Sequence, residues 1–152
     1  MPNTTGPADQ ADLVEAARRA ALKAYAPYSG FSVGCAIESI DGELVLGANM
    51  ENACYRLGVC AEISALTAAA QAFGLDRIAR IAVSGGRVGA SRFLEGDTVV
   101  TCCGGCRQSI YEAAAVAGRD IEVIASSGDG TAVTATPISE LLPQGFGPDQ
   151  LR

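Results

Sequence analysis

"VCAEISALTAAA" (residues 59–70) places a cysteine and a glutamate two residues apart and then runs into Ala and Leu. Ala and Leu are strong helix formers, so a helix is predicted over residues 61–73, with Gly74 as its stop. Cys60 and Glu62 then stand at its start. Immediately upstream, "FSVGCAIESI" (31–40) and "ELVLGANM" (43–50) are strand-like runs joined at Asp41-Gly42, a strong hairpin signal. Downstream, "RIARIAVSGG" (77–86) reads as a strand whose terminal glycines open a loop to about Gly96. Further out, "TCCGGCRQ" (101–108) puts a second cysteine cluster at the start of a helix over 104–117, stopped by Gly118. "DTVV" (97–100) is a short strand or simply the approach to those cysteines.

The remaining elements complete the same alternation. Asp12 is positioned to cap a helix over 13–25, with Leu13, Ala17, Ala20, Ala21 and Ala24 on one stripe and a break at Pro27 and Gly30. After the helix at 104–117 come a strand "IEVIAS" (121–126), a turn at Asp129-Gly130 and a strand "AVTAT" (132–136). "PISELL" (137–142) is a short helix with Pro137 at or near its first turn. Alternating helix and strand without repeats or a long linker implies one α/β domain on a single mixed sheet. Residues 1–10, "MPNTTGPADQ", read as a flexible tail, leaving 11–152 as the domain.

Composition narrows the function. The chain has 152 residues, 49% of them apolar and 18% charged, with a net charge of −6. That length buries a proper core, and the acidic balance argues against a nucleic-acid partner, which needs clustered Lys and Arg. No run approaches the ~18 apolar residues of a membrane helix. The N-terminus lacks the basic start and apolar stretch of a signal peptide, so the expected location is cytoplasmic. Six cysteines in such a chain are not expected to form a disulfide framework. There is no histidine. Its absence removes Ser-His and Cys-His triads and every His-based metal site.

Cys103 and Cys106 lie three apart at a helix start, on one face of the first turn. Unpaired N–H groups and the helix dipole there favour thiolate, and Cys60 occupies the same situation one helix earlier. If the two starts converge, three thiolates meet with a fourth position open, the pattern of a catalytic rather than structural zinc. Zinc lowers the pKa of its water to about 7, and Glu62 is placed to shuttle protons beside it. Two other uses of these residues stay open at this level. "CGGC" at a helix start suits a thioredoxin-like dithiol, which leaves Cys60 and Glu62 without a role. An iron–sulfur cluster would take Cys102 as fourth ligand. Cys35 and Cys54 read as small core or near-core residues.

"GANMENACYRLGVCAE" (47–62), followed by "CCGGCRQ" (102–108), resembles the small, zinc-dependent, homotetrameric cytidine deaminases. The resemblance runs from "AYAPYSGFSVGCAI" (24–37) to "ELLPQGF" (140–146). It implies a three-layer α/β sandwich with a mixed sheet of about five strands flanked by helices. It further implies deamination of cytidine, and of deoxycytidine, to uridine or deoxyuridine and ammonia, a pyrimidine-salvage reaction. Carried over by position, Cys60, Cys103 and Cys106 match the ligands of one zinc per subunit, and Glu62 the general acid/base. Asn49 and Glu51 match the residues that hold the ribose hydroxyls. The N–H of Ala61 matches the contact to the pyrimidine O2. Phe31 and Phe146 match aromatics that enclose the base, Phe146 from a neighbouring subunit, and Tyr55 matches a pocket-lining position. The small-molecule nucleoside is the implied partner, with active sites shared across the homotetramer.

Two positions depart from the family pattern. Cys102 stands where a proline is common, and Ile63 where many members carry an arginine after the glutamate. Three thiolates on a dication leave a net charge of −1, which blunts the acidity of the bound water. The two helix N-termini, with Arg107 or Arg56, are the groups available to offset it. Within the same chemistry, deaminases of aminonucleoside antibiotics such as blasticidin S share the zinc motif, but "NMEN" (49–52) favours a ribose. Polynucleotide-editing deaminases are disfavoured by the acidic charge and by Cys in place of His.

Overall fold

Two hydrophobic clusters on opposite faces of one sheet organise the molecule. The fold was obtained as a computed structural model that describes residues 9–152. Its elements are α1 (Gln10–Ala21), β1 (Ser32–Ser39), β2 (Leu44–Ala48), α2 (Ala61–Ala72), β3 (Ile78–Val88), β4 (Leu94–Glu95), α3 (Gly104–Ala117), β5 (Glu122–Ser126), β6 (Val133–Pro137) and α4 (Ile138–Leu141). The strands run β2-β1-β3-β5-β6, with β4 attached to β3. Among the named strands β3 and β5 pair in parallel and the other pairings are antiparallel, so the sheet is mixed as expected.

Side-chain alternation along the central strands separates the layers. Cys35, Ile37, Ile81, Val83 and Val123 pack in one cluster with α2 and α3. Ala36, Ala82 and Ile124, one residue out of step, pack against Leu13, Val14 and Ala17 of α1. A strand covered on both faces has to be apolar nearly throughout, which is why β1 is buried along almost its whole length. The result is a three-layer sandwich. Two glycines set the layer spacing: a Cβ on Gly34 would lie 2.0 Å from the Ala17 carbonyl oxygen, and one on Gly47 2.4 Å from the Ala65 nitrogen. Helix backbone therefore rests directly on strand backbone at these two points.

The described structure corrects several boundaries. α1 begins at Gln10 and ends at Ala21, with Asp9 rather than Asp12 at the N-cap. Tyr25 is drawn out of the expected helix because its N–H donates to the Asn49 carbonyl and its carbonyl accepts from Glu51 N–H. The expected tail, residues 1–10, lies outside the described residues apart from its last two, of which Gln10 opens α1. Gly85 and Gly86 do not open a loop; β3 runs through them to Val88 and the chain returns as β4, pairing Arg87 with Glu95. Glycine is needed there because a Cβ on Gly86 would lie 2.2 Å from the Glu95 carbonyl oxygen. Residues 97–100 form the approach to the cysteines and no strand, and Pro137 stands at the N-cap of α4, next to its first turn as expected. Cys35 is a core residue as expected, whereas Cys54 is exposed, just before the short 3-10 turn Tyr55–Leu57.

Candidate active site

Both cysteine clusters stand at helix starts, and both starts are fixed by pairing outside the helices. Met50 and Val59 exchange N–H···O bonds of 2.9 Å, closing the loop between them and delivering Cys60 to the N-cap of α2. The Val100 N–H donates to the Ser126 carbonyl at the end of β5, delivering Cys103 to the N-cap of α3. The two helix starts meet beyond the carboxyl ends of β2, β3 and β5, the usual place for a ligand site in an α/β sheet. There the sulfurs of Cys60, Cys103 and Cys106 lie within 4.8 Å of one another.

One tetrahedral zinc with ~2.3 Å bonds to sulfur would need the sulfurs about 3.8 Å apart, so small side-chain adjustments would let all three reach it. Cys106 is 1% exposed, while Cys60 and Cys103 open outward. The three thiols differ electrostatically. The Cys106 N–H approaches Cys103 Sγ at 3.5 Å and is the main influence holding the Cys103 thiol below its ordinary value. Burial is the main influence pushing Cys60 and Cys106 up. A divalent metal would displace the thiol protons, as thiolate sites require. The donor set therefore fits zinc.

Glu62, at the second position of α2, is 4% exposed and lines the same pocket as Cys60 and Cys103. Burial raises its carboxyl above the usual range, partly opposed by its own N–H and by the Cys106 thiol. Ala61 occupies the first position of α2, where the N–H has no acceptor within the helix. The pocket encloses about 370 Å³, and its walls include Val33, Asn49, Glu51, Tyr55, Val100 and Thr101. A larger cleft of about 860 Å³ lies between α1, β2 and α2 and holds none of the cysteines. Chemistry, not volume, selects the smaller one.

Asn49 and Glu51 are engaged with the segment before β1. Asn49 Nδ2 donates to the Phe31 carbonyl at 3.0 Å and Oδ1 accepts from Val33 N–H at 2.8 Å. One amide hydrogen and one lone pair remain for a ligand. Phe31 stands beside Val33 and Val100, whose side chains wall the pocket, all three crowding the space above Gly85. Tyr55 stacks edge-on against Tyr28, centroids 5.9 Å apart. Phe146 is not brought to this pocket. It is 54% exposed and lines a groove with Ile63, Leu66 and Gln108.

The charge question raised by Ile63 has a partial answer. Arg107 is engaged beside the cluster, its Nε donating to the Cys102 carbonyl and its Nη1 to that of Leu141, and against the larger effect of burial its charge favours the thiolate of Cys102. Among the backbone groups at the helix starts, the Cys106 N–H donates to Cys103 Sγ. Cys102, 3% exposed, belongs to the core cluster and not to the three-sulfur group. Val33, Val100 and Thr101 were not legible as pocket residues, because nothing in the local pattern distinguishes them from core or loop.

A sheet sandwich that brings three thiols and a buried carboxylate to two adjoining helix starts defines a zinc-dependent hydrolase centre. The family model for the cytidine and deoxycytidylate deaminase zinc-binding region matches residues 7–118. A cytidine deaminase of Halalkalibacterium halodurans is 36% identical over 138 residues, covering 91% of this chain and 94% of the relative. One from Mycobacterium tuberculosis is 34% identical over 136 residues, covering 89% and 87% respectively. The crystal structure of cytidine deaminase from Burkholderia pseudomallei superposes with a TM-score of 0.77 at 38% identity, over 91% of this chain and all of that one. The chain belongs to the cytidine deaminase family.

Proposed function

We propose that the protein is a zinc-dependent cytidine deaminase, converting cytidine and deoxycytidine with water to the uracil nucleosides and ammonia in pyrimidine salvage. The observation that carries this reading is the meeting of Cys60, Cys103 and Cys106 with a buried Glu62 beside Asn49 and Glu51. Zinc held by the three cysteines supplies Lewis acidity and makes water a competent nucleophile at neutral pH.

The chain's own residues do the rest. Glu62 takes a proton from the attacking water and gives it to the pyrimidine N3; it then takes the second proton, from the hydroxyl now on C4, and passes it to the amino group, so that the C4–N bond breaks, C4=O forms and ammonia leaves. Burial raises its carboxyl, the direction that favours holding a proton between the two transfers. The Ala61 N–H donates to the base O2. The free valences of Asn49 and Glu51 bind the sugar hydroxyls, and Phe31 and Tyr55 border the bound nucleoside.

The working unit is a homotetramer whose sites are completed by Phe146 of a neighbour. Phe146 is exposed on its own chain, with its carbonyl accepting from Gln108 Nε2 at 2.7 Å. Leu22, Tyr25, Leu44, Leu46 and Met50 form a further set of exposed large apolar side chains suited to subunit burial. Three cysteines that must remain thiolates suit a reducing compartment, in keeping with a cytoplasmic location; among the described residues no helix is long and apolar enough to cross a membrane. The direct test is metal content together with the fall of cytidine's ultraviolet band on incubation. Zinc-loaded protein that leaves the band unchanged would overturn the reading.

A further inference from the structure

The turn before β1 grips the carboxylate of Glu51 with three donors from two residues. The N–H groups of Tyr28 and Ser29 donate to Oε2 at 2.8 and 3.2 Å, and the Ser29 hydroxyl donates to Oε1. The same hydroxyl oxygen accepts the Phe31 N–H at 3.0 Å. One side chain therefore links the residue read as a sugar ligand to the aromatic read as bordering the base. The turn is itself braced: Arg87 Nη1 donates to the Ser29 carbonyl at 3.1 Å, and Gly30 takes the left-handed conformation with φ 67°.

We propose that Ser29 is a positioning residue for the nucleoside sugar, orienting Glu51 before substrate arrives. The inference rests on Glu51 being a sugar ligand. An ionised carboxylate offers about four lone-pair directions. Three are taken by the turn, which leaves one to accept a hydroxyl and fixes where it points. The Ser29 hydroxyl is also the largest influence holding the Glu51 carboxyl below its ordinary value, against a smaller opposing effect of burial, with the two N–H groups adding to it. Glu51 therefore remains a pure acceptor at neutral pH. A glutamate without this hold would have to be ordered by the substrate, at a cost of about three- to ten-fold in affinity.

The test is steady-state kinetics of the zinc-loaded protein on cytidine and on 2′,3′-dideoxycytidine, which lacks both hydroxyls. Ser29→Ala is expected to raise KM for cytidine about three- to ten-fold with kcat kept, and to lower kcat/KM for the dideoxy substrate by a clearly smaller factor. Ser29→Thr, which retains the hydroxyl, should behave as the parent; an equal defect in Thr and Ala variants overturns the proposal. Glu51→Gln is the control. If it discriminates between the two substrates and Ser29→Ala does not, the sugar reading stands and the role of Ser29 falls. If Glu51→Gln impairs both substrates equally, the sugar reading fails and takes the proposal with it.

Discussion

Glu62 and the three sulfurs set what can be asked at the scale of single residues. Glu62 is buried at the second position of α2, with a carboxyl that burial pushes up. Glu62→Gln preserves its shape and its capacity to hydrogen-bond, yet cannot relay protons. It should retain zinc and fold while losing turnover by about 10²–10⁴-fold. Near-parental turnover would remove Glu62 from the chemistry, and loss of metal would mark it as a ligand instead. The sulfurs carry a second expectation. X-ray absorption at the zinc edge should show three sulfur neighbours and no protein nitrogen, because the chain has no histidine and the three sulfurs lie within 4.8 Å. Cys103→Ala should then release the metal; full retention would sink the assignment. The thiol types and their helix-start positions were legible beforehand. The one-turn spacing to Cys106 also favoured Cys103 over Cys102; that Cys102 packs into the core, 3% exposed, is visible only in the fold.

Among elements, the contact of α2 with β2 governs the site most directly. α2 carries Cys60 and Glu62 at one end, and its backbone sits on Gly47 with no room for a Cβ. Gly47→Ala forces α2 off the strand or bends it, an overpacking cost of about 1–3 kcal/mol. The denaturation midpoint should fall accordingly, and zinc should be held less tightly because Cys60 moves relative to Cys103. An unchanged midpoint would show that the layers have slack. The cores of α2 and α3 were readable from Ala and Leu content and from glycine stops, and Gly118 does adopt the left-handed conformation, φ 65°, of a helix terminator. α1 and β3 were misjudged for a shared reason. Tyr25 leaves the helix to pair with the Asn49–Glu51 segment, and Gly85–Gly86 continue the strand because β4 folds back upon it. In both places a partner distant in sequence outweighed the local preference.

At the scale of the whole molecule the prediction concerns assembly. The segment after α4 places Phe146 on an exposed groove, outside its own chain's pocket. Truncation after Pro143 should raise KM for cytidine and weaken the oligomer together, with zinc still bound, since no residue of the three-sulfur group is touched. Light scattering and kinetics on the same samples check this. A fully active monomer at assay concentration would refute shared sites.

What the sequence determined by itself was local or compositional. Helix propensity placed α2 and α3, the Asp41-Gly42 turn joined β1 to β2, and the absence of histidine left thiolates as the main zinc donors. Tertiary structure alone decided the convergence of Cys60 with Cys103 and Cys106, the burial of Glu62, and the grip of Ser29 on Glu51. It also buried Glu38 against Arg80, its partner across β1 and β3. These depend on hydrogen bonds and close backbone contacts between segments far apart along the chain, whose geometry exists only once the sheet has set the register.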